Sequence, residues 1–166
     1  RQMCIRDRLY VDKKTGLPNR EKLNIYIGEM AGKVLPEAFT CFTLSLDNLS
    51  ELTKRFGYTV GDGVLKDFAG LVQLMGDTEG MRGYNGIGRF VVFFEECSSK
   101  KAAAMIRILD NQVEEYNSLN PEYPIRYTAT WATTEETDTY EIRELLRLSQ
   151  KKWKQMEKAK EQSSCN

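Results

Sequence analysis

The chain has 166 residues, with 24 basic side chains, 24 acidic side chains and no histidine; 41% of its residues are hydrophobic and 29% charged. That length suits one domain with a proper core, and zero net charge leaves no general nucleic-acid footprint. No apolar run is long enough to span a bilayer, and the lack of histidine removes the commonest general base and metal ligand.

Chemistry is thereby left to carboxylates, lysine, serine and the backbone. The four cysteines, Cys4, Cys41, Cys97 and Cys165, form no CxxC pair. A zinc site or disulfide framework is not expected, and a reducing, cytoplasmic setting fits best.

The opening "RQMCIRDR" (Arg1 to Arg8) matches the translation of a transposon-based sequencing adapter, CGTCAGATGTGTATAAGAGACAG, at all eight positions. We expect these residues to be foreign to the natural protein and exclude them from fold reasoning. Without them the chain is acidic by two charges. We further expect the natural chain to have continued upstream of Leu9, with a sensor region there.

Turn chemistry at Thr15 to Asn19 leads into a helix with Leu23, Tyr26, Ile27 and Met30 on one face. "AFTCFTLSLDNL" (Ala38 to Leu49) reads as a strand ending near Asp47, with Phe42, Leu44 and Leu46 on one face and Phe39 and Cys41 on the other. "LSELTKRFG" predicts a short helix stopped by Gly57. "GDGVLKDFAGLVQLMG" predicts a second, burying Val64, Leu65, Phe68, Leu71, Val72 and Leu74.

"GYNGIGRFVVFF" (Gly83 to Phe94) predicts a hairpin with Gly86, Ile87 and Gly88 at its tip and a buried second strand, Phe90 to Phe94. The next helix is capped by Ser98 or Ser99 and carries a core stripe of Met105, Ile106, Leu109, Val113 and Tyr116. A strand follows, with Ile125, Tyr127, Ala129 and Trp131 on one face. The last helix runs from about Ile142 past Met156, with Ile142, Leu146, Ser149, Trp153 and Met156 core-facing and Lys151, Lys154 and Lys158 on its solvated side. Residues 161–166 are expected to form a loose tail. The order is helix, strand, helix, helix, hairpin, helix, strand, helix, an α+β plan around a mainly antiparallel sheet.

Three segments in this order resemble one family, the GGDEF domains of diguanylate cyclases. "DKKTGLPNR" (Asp12 to Arg20) is similar to D-x-L-T-G-L-x-N-R, and "SLDNLSELTKRFGYTVGDGVL" (Ser45 to Leu65) to D-x-D-x-F-K-x-x-N-D-x-x-G-H-x-x-G-D-x-x-L. "YNGIGRF" (Tyr84 to Phe90) stands where the family has R-Y-G-G-[DE]-E-F. The domain is expected to span residues 9–160. The resemblance implies a palm-like sheet shared with nucleotide cyclases, and a bacterial activity that joins two GTP into cyclic di-GMP. Two domains meet face to face, each with one GTP and two Mg²⁺ held by carboxylates.

The same resemblance marks departures. Ser45 stands for the first metal-binding aspartate, while Asp47 keeps the second. Thr53 stands for the asparagine that reads guanine, while Asp62 keeps the aspartate that does so. Gly86 keeps the first hairpin glycine, Ile87 replaces the second, Gly88 replaces the metal-binding acid, Arg89 replaces the glutamate and Phe90 is kept. The phosphate-contacting lysine falls at Glu157, with Lys158 beside it. Asp77 and Gly80 occupy the key positions of the R-x-x-D product-inhibition motif, so that motif is absent. Relative to the family pattern the metal site is more positive by four charges.

The nucleotide-facing candidates that remain are Asn48, Leu49, Thr53, Asp62 and Lys158. Asp47 is expected to cap the following helix rather than hold a metal, and Asp62 to serve a helix N-terminus rather than guanine. Arg89 either binds phosphate directly or is an uncommitted surface arginine. Ile87 either marks a partner contact or folds back on the hairpin.

Losing one preorganised electrostatic group costs roughly 10²–10³ in rate. The expected function is therefore a degenerate, non-catalytic signalling domain with no resident cofactor, and Mg²⁺ and GTP would serve only if activity survives. Expected partners are a second copy, another signalling domain or GTP, with no nucleic acid and no membrane contact. Two alternatives stand beside it, an active cyclase with an atypical site and a purely structural dimerisation domain.

Overall fold

The computed structural model describes residues 9–76 and 80–164. Its elements are α1 (Arg20–Met30), β1 (Thr40–Leu46), α2 (Leu49–Phe56), α3 (Tyr58–Gln73), β2 (Gly80–Tyr84), β3 (Arg89–Phe94), α4 (Ser99–Leu119), β4 (Tyr127–Thr133), α5 (Thr134–Thr137) and α6 (Ile142–Ser164). The four strands form one antiparallel sheet in the order β2-β3-β1-β4. The expected α+β plan is present, and every expected element is found in order. α5, a single turn, escaped the sequence because four residues carry no period.

The sheet has helices on both faces. Phe42, Leu44, Phe90, Val92 and Phe94 pack with Phe68 and Val72 of α3 and Met105 and Leu109 of α4. Cys41, Val91, Phe93 and Ala132 pack on the opposite face with Leu23 and Ile27 of α1 and Ile142 and Leu145 of α6. β1 is central and covered on both sides, so all seven of its residues are buried. Its hydroxyls at Thr40, Thr43 and Ser45 are buried with hydrogen-bond partners, to the Cys97 carbonyl, Ser149 and Asp47 respectively.

Local signals account for the helix ends. Asn19 caps α1 by accepting the Lys22 N–H, and Ser98 caps α4 by accepting that of Lys101. Gly57, at φ 92°, separates α2 from α3 in a conformation that glycine adopts without strain. α3 begins at Tyr58, ahead of the expected Gly61.

Burial expectations are corrected at Leu74, Leu146 and Met156. Leu74, at the C-terminal end of α3, is 67% exposed. In α6 it is Leu145, not Leu146, that is fully buried, and Met156 is exposed. α6 also continues through Ser164, so the start of the expected loose tail is helical. Arg1 to Arg8, Asp77 and Cys165 lie outside the described residues, while Cys41 and Cys97 are buried free thiols. Among the described residues no helix is long and apolar enough to cross a membrane.

Candidate functional site

The antiparallel register sets the geometry. Ser45, near the end of β1, lies opposite Arg89 of β3 and Thr128 of β4. Side chains directly opposite in a sheet share a face, here the face covered by α6. The sheet's C-terminal end of β1 thus presents a row, Arg89–Ser45–Thr128, with Asp47 just beyond it.

α6 closes over this row. Trp153 Nε1 donates to Ser45 Oγ at 2.8 Å, and the Ser45 hydroxyl in turn donates to Asp47 Oδ1 at 2.6 Å. The Arg89 guanidinium lies 4.6 Å from the centroid of the Trp153 ring. One turn later Thr128 Oγ1 lies 2.5 Å from Asp47 Oδ2 and 3.0 Å from Glu157 Oε1. Lys160 Nζ donates to Asp47 Oδ2 at 3.2 Å, to the Tyr127 carbonyl at 3.4 Å, and to Thr128 Oγ1. The Asp47 carboxylate thus meets two hydroxyls and an ammonium supplied by the chain itself.

Two carboxyls close together disfavour double ionisation. Burial, reinforced by the neighbouring Asp47 charge, pushes the Glu157 carboxyl above its usual range. Glu157 therefore keeps a proton more readily than a solvated glutamate does.

The hairpin tip has three consecutive residues in left-handed geometry: Gly86 (φ 84°), Ile87 (φ 54°) and Gly88 (φ 73°). For a β-branched residue this is strained. Ile87 is also 83% exposed, which decides against its folding back on the hairpin. Arg20 clamps the turn through Asn85, to its carbonyl at 2.6 Å and to Oδ1 at 3.2 Å. The Gly88 N–H donates to the Tyr84 hydroxyl at 2.8 Å, and the Gly88 carbonyl accepts from Leu46 N–H at 2.7 Å. Both backbone groups of the glycine that stands for the family's acid are therefore used internally.

The remaining candidates disperse. Asp62 sits in the second turn of α3, not at its N-cap, and pairs with Lys14 at 3.5 Å. Thr53 packs against Gly61, whose missing side chain makes room for its hydroxyl. Asn48 is buried and its amide bridges the Pro124 carbonyl (2.7 Å) and the Arg126 N–H (3.1 Å), which fixes the loop before β4. Leu49 packs against the core, and Lys158 is exposed. Asp47 does not cap α2, whose N-cap is Asn48, with no side-chain bond to the helix's own first N–H groups.

Sequence reasoning missed Lys160 and Thr128, and it placed Trp153 in the core, whereas Trp153 is half-buried over Ser45. Ser149, Trp153, Glu157 and Lys160 are spaced four, four and three apart, one helical face. That pattern was visible; only the strand end beneath it was not.

A four-stranded antiparallel sheet between helix layers, with Asp47 just past the end of β1 and beside a glycine hairpin, defines a nucleotide-cyclase-like α+β domain. Within that class the chain matches the family described as "Diguanylate cyclase, GGDEF domain" over residues 9–164, and it belongs to that family. No curated protein matches the sequence.

Among solved structures, it is similar to a diguanylate cyclase/phosphodiesterase from Caldicellulosiruptor saccharolyticus, with a TM-score of 0.66, 18% identity, and coverage of 87% of this chain and 84% of that one. The GGDEF domain of FimX from Pseudomonas aeruginosa is similar at a TM-score of 0.62 and 17% identity, covering 83% of this chain and 94% of that one. A Vibrio cholerae LapD S helix-GGDEF-EAL structure bound to c-di-GMP gives a TM-score of 0.62 and 16% identity, with 78% of this chain covering 30% of that one. At these identities the likeness shows the fold.

The residues present do not fit the Mg²⁺ that this family uses. A hard divalent cation needs several oxygen ligands with negative charge. Ser45 is neutral and already bonded to Asp47, Gly88 has no side chain, and Arg89 brings positive charge. Asp47 itself is paired with Lys160. Among the described residues no group of three or more His, Cys, Asp or Glu side chains could hold a metal ion.

Proposed function

We propose that this chain is a degenerate GGDEF domain, without cyclase activity, that works as a signalling module by contact with a second copy or another signalling domain. The observation that carries this reading is the Asp47–Lys160 ion pair. An ammonium on α6 sits against the one carboxylate retained from the D-x-D motif, where the resemblance calls for a metal. An internal cation is always present and needs no uptake from solution, so it suits a fixed structural role better than a catalytic one. Asp62 supports the same reading, because Lys14 engages it in place of a guanine. The exposed, strained Ile87 gives the hairpin tip an apolar contact point for a partner.

The test is incubation with GTP and Mg²⁺ or Mn²⁺, followed by chromatography. No cyclic di-GMP above a heat-killed control is expected. Metal-dependent product well above that control overturns the reading in favour of an active cyclase with an atypical site.

A further inference from the structure

Beside its core stripe, α4 has a second face. Lys101, Ala104, Ile108 and Gln112 border a groove of about 240 Å³, together with Leu74 just past the end of α3. Glu115 continues the same helical face, so the spacing is three, four, four and three. Ile108 is 58% exposed, and Leu74 stands in solvent beside it. We propose that this face docks a second copy of the chain, with the two α4 helices antiparallel about a two-fold axis at Ile108. The proposal rests on the reading of this chain as a module that works by contact, and it names the surface and the partner.

Shape is the first ground. The groove has an apolar floor, formed by Met75, Met105 and Leu109, all buried. Its volume falls below the ~300 Å³ of an ordinary small-molecule pocket and suits an aliphatic side chain. A two-fold contact needs knob and hole on the same patch. Both are here: Ile108 stands at the rim of the groove, so each copy can offer it to the other.

Charge is the second ground, and it selects the second copy and the direction. α4 is basic at its start, with Lys100 and Lys101, and acidic in the turn before its last, with Glu114 and Glu115. Among the described residues none of these four forms an ion pair. The helix's own stability does not explain this order. The dipole favours acids in the first turn and bases in the last, and α4 has neither. Lys101 and Glu115 lie equally far from Ile108 along the helix. An antiparallel two-fold at Ile108 therefore sets Lys101 against Glu115 of the partner subunit, and Glu115 against Lys101 of the partner subunit. A parallel pair would oppose like charges at both ends. The antiparallel pair also brings opposite dipole ends together.

Size sets the strength. The helix from Lys101 to Glu115 is about 22 Å long and about 10 Å across. Such a contact belongs with the transient interfaces that bury less than ~1,200 Å². Association is therefore reversible and depends on concentration.

The experiment is sedimentation velocity of the full chain, from micromolar to about millimolar protein. A monomer–dimer equilibrium is expected, weakened roughly tenfold or more in Ile108→Glu. Lys101→Glu alone, or Glu115→Lys alone, opposes like charges at both symmetry-related pairs and should weaken the dimer roughly tenfold. The double variant, Lys101→Glu with Glu115→Lys, restores opposite charges and should recover it. A chain that stays monomeric throughout overturns the proposal. So does a double variant no better than the single ones, because the helices are then not paired in this way. A dimer that survives Ile108→Glu but is lost in Ile87→Ser also overturns it, and leaves contact with a second copy standing at the hairpin tip instead. Circular dichroism checks each fold, and the charge variants carry the test if Ile108→Glu fails to fold.

Discussion

At the scale of single residues, the Asp47–Glu157–Lys160 cluster gathers two carboxyls and an ammonium at the end of β1. Thr128 has one hydroxyl proton to give and stands between two carboxyls. The Glu157 carboxyl is raised above its usual range, first by burial and then by Asp47. A carboxyl that holds its proton more tightly when folded than when unfolded makes folding less favourable as it ionises. This contribution is therefore lost as pH rises from the ordinary glutamate range near ~4.3 through the raised folded value. Glu157→Gln removes the titration while keeping an acceptor for Thr128. Its stability relative to the wild type should grow as pH rises across that window, read from urea midpoints at a series of pH values. A difference that stays constant with pH would show that Glu157 ionises normally.

At the scale of elements, the α2–α3 pair depends on one close approach. A Cβ built on Gly61 would collide with Thr53 Oγ1, while the Thr53 Cβ would lie at an ordinary 3.4 Å. Gly61→Ala is expected to destabilise by roughly 1–3 kcal/mol, the cost of overpacking. In a Thr53→Ala background the hydroxyl is gone, and helix propensity should make the same change neutral or stabilising. Equal costs in both backgrounds would show that the contact is not responsible. The same pair explains why Thr53 reads poorly as a ligand residue: its hydroxyl packs into the neighbouring helix.

α6 shows the other side of element packing. Its stripe ends as a polar seam, with Ser149 bonded to Thr43 at 2.8 Å, its carbonyl accepting from Thr130 at 2.9 Å, and Trp153 bonded to Ser45. A core-facing helix with such a seam is fixed in register as well as held by burial, because a shift would strand several buried polar groups.

At the scale of the whole molecule, a cation that binds only the folded state must raise the unfolding midpoint by mass action. Because the residues at the strand end do not fit Mg²⁺, millimolar Mg²⁺ or Mn²⁺ should leave the thermal midpoint unchanged beyond the effect of matched ionic strength. A specific rise, lost in Asp47→Ala, would show that the cluster opens to admit metal.

Most of the fold could be read along the chain. The apolar alternation of β1, the Asn85-Gly86 turn, the Ser98 cap and the stripe of α4 are local signals, and local energetics place those elements. Errors came where a period runs past the surface it packs on. Leu74 and Met156 continue an apolar pattern, yet the core ends before they reach it.

The candidate site was legible only as a set of losses. Ser45, Gly88 and Arg89 are read directly as departures from a motif. Lys160, Trp153 and Thr128 belong to elements far from that motif in sequence, and Lys160 lies 113 residues from Asp47. Sequence by itself determined the family, the order of elements and the missing carboxylates, because each rests on residue identity or short-range periodicity. Only the tertiary structure decided which side chains surround those positions. Which side chain meets Asp47, and which ring stacks on Arg89, follows from strand register and helix packing, and those depend on contacts between distant segments rather than on neighbours along the chain.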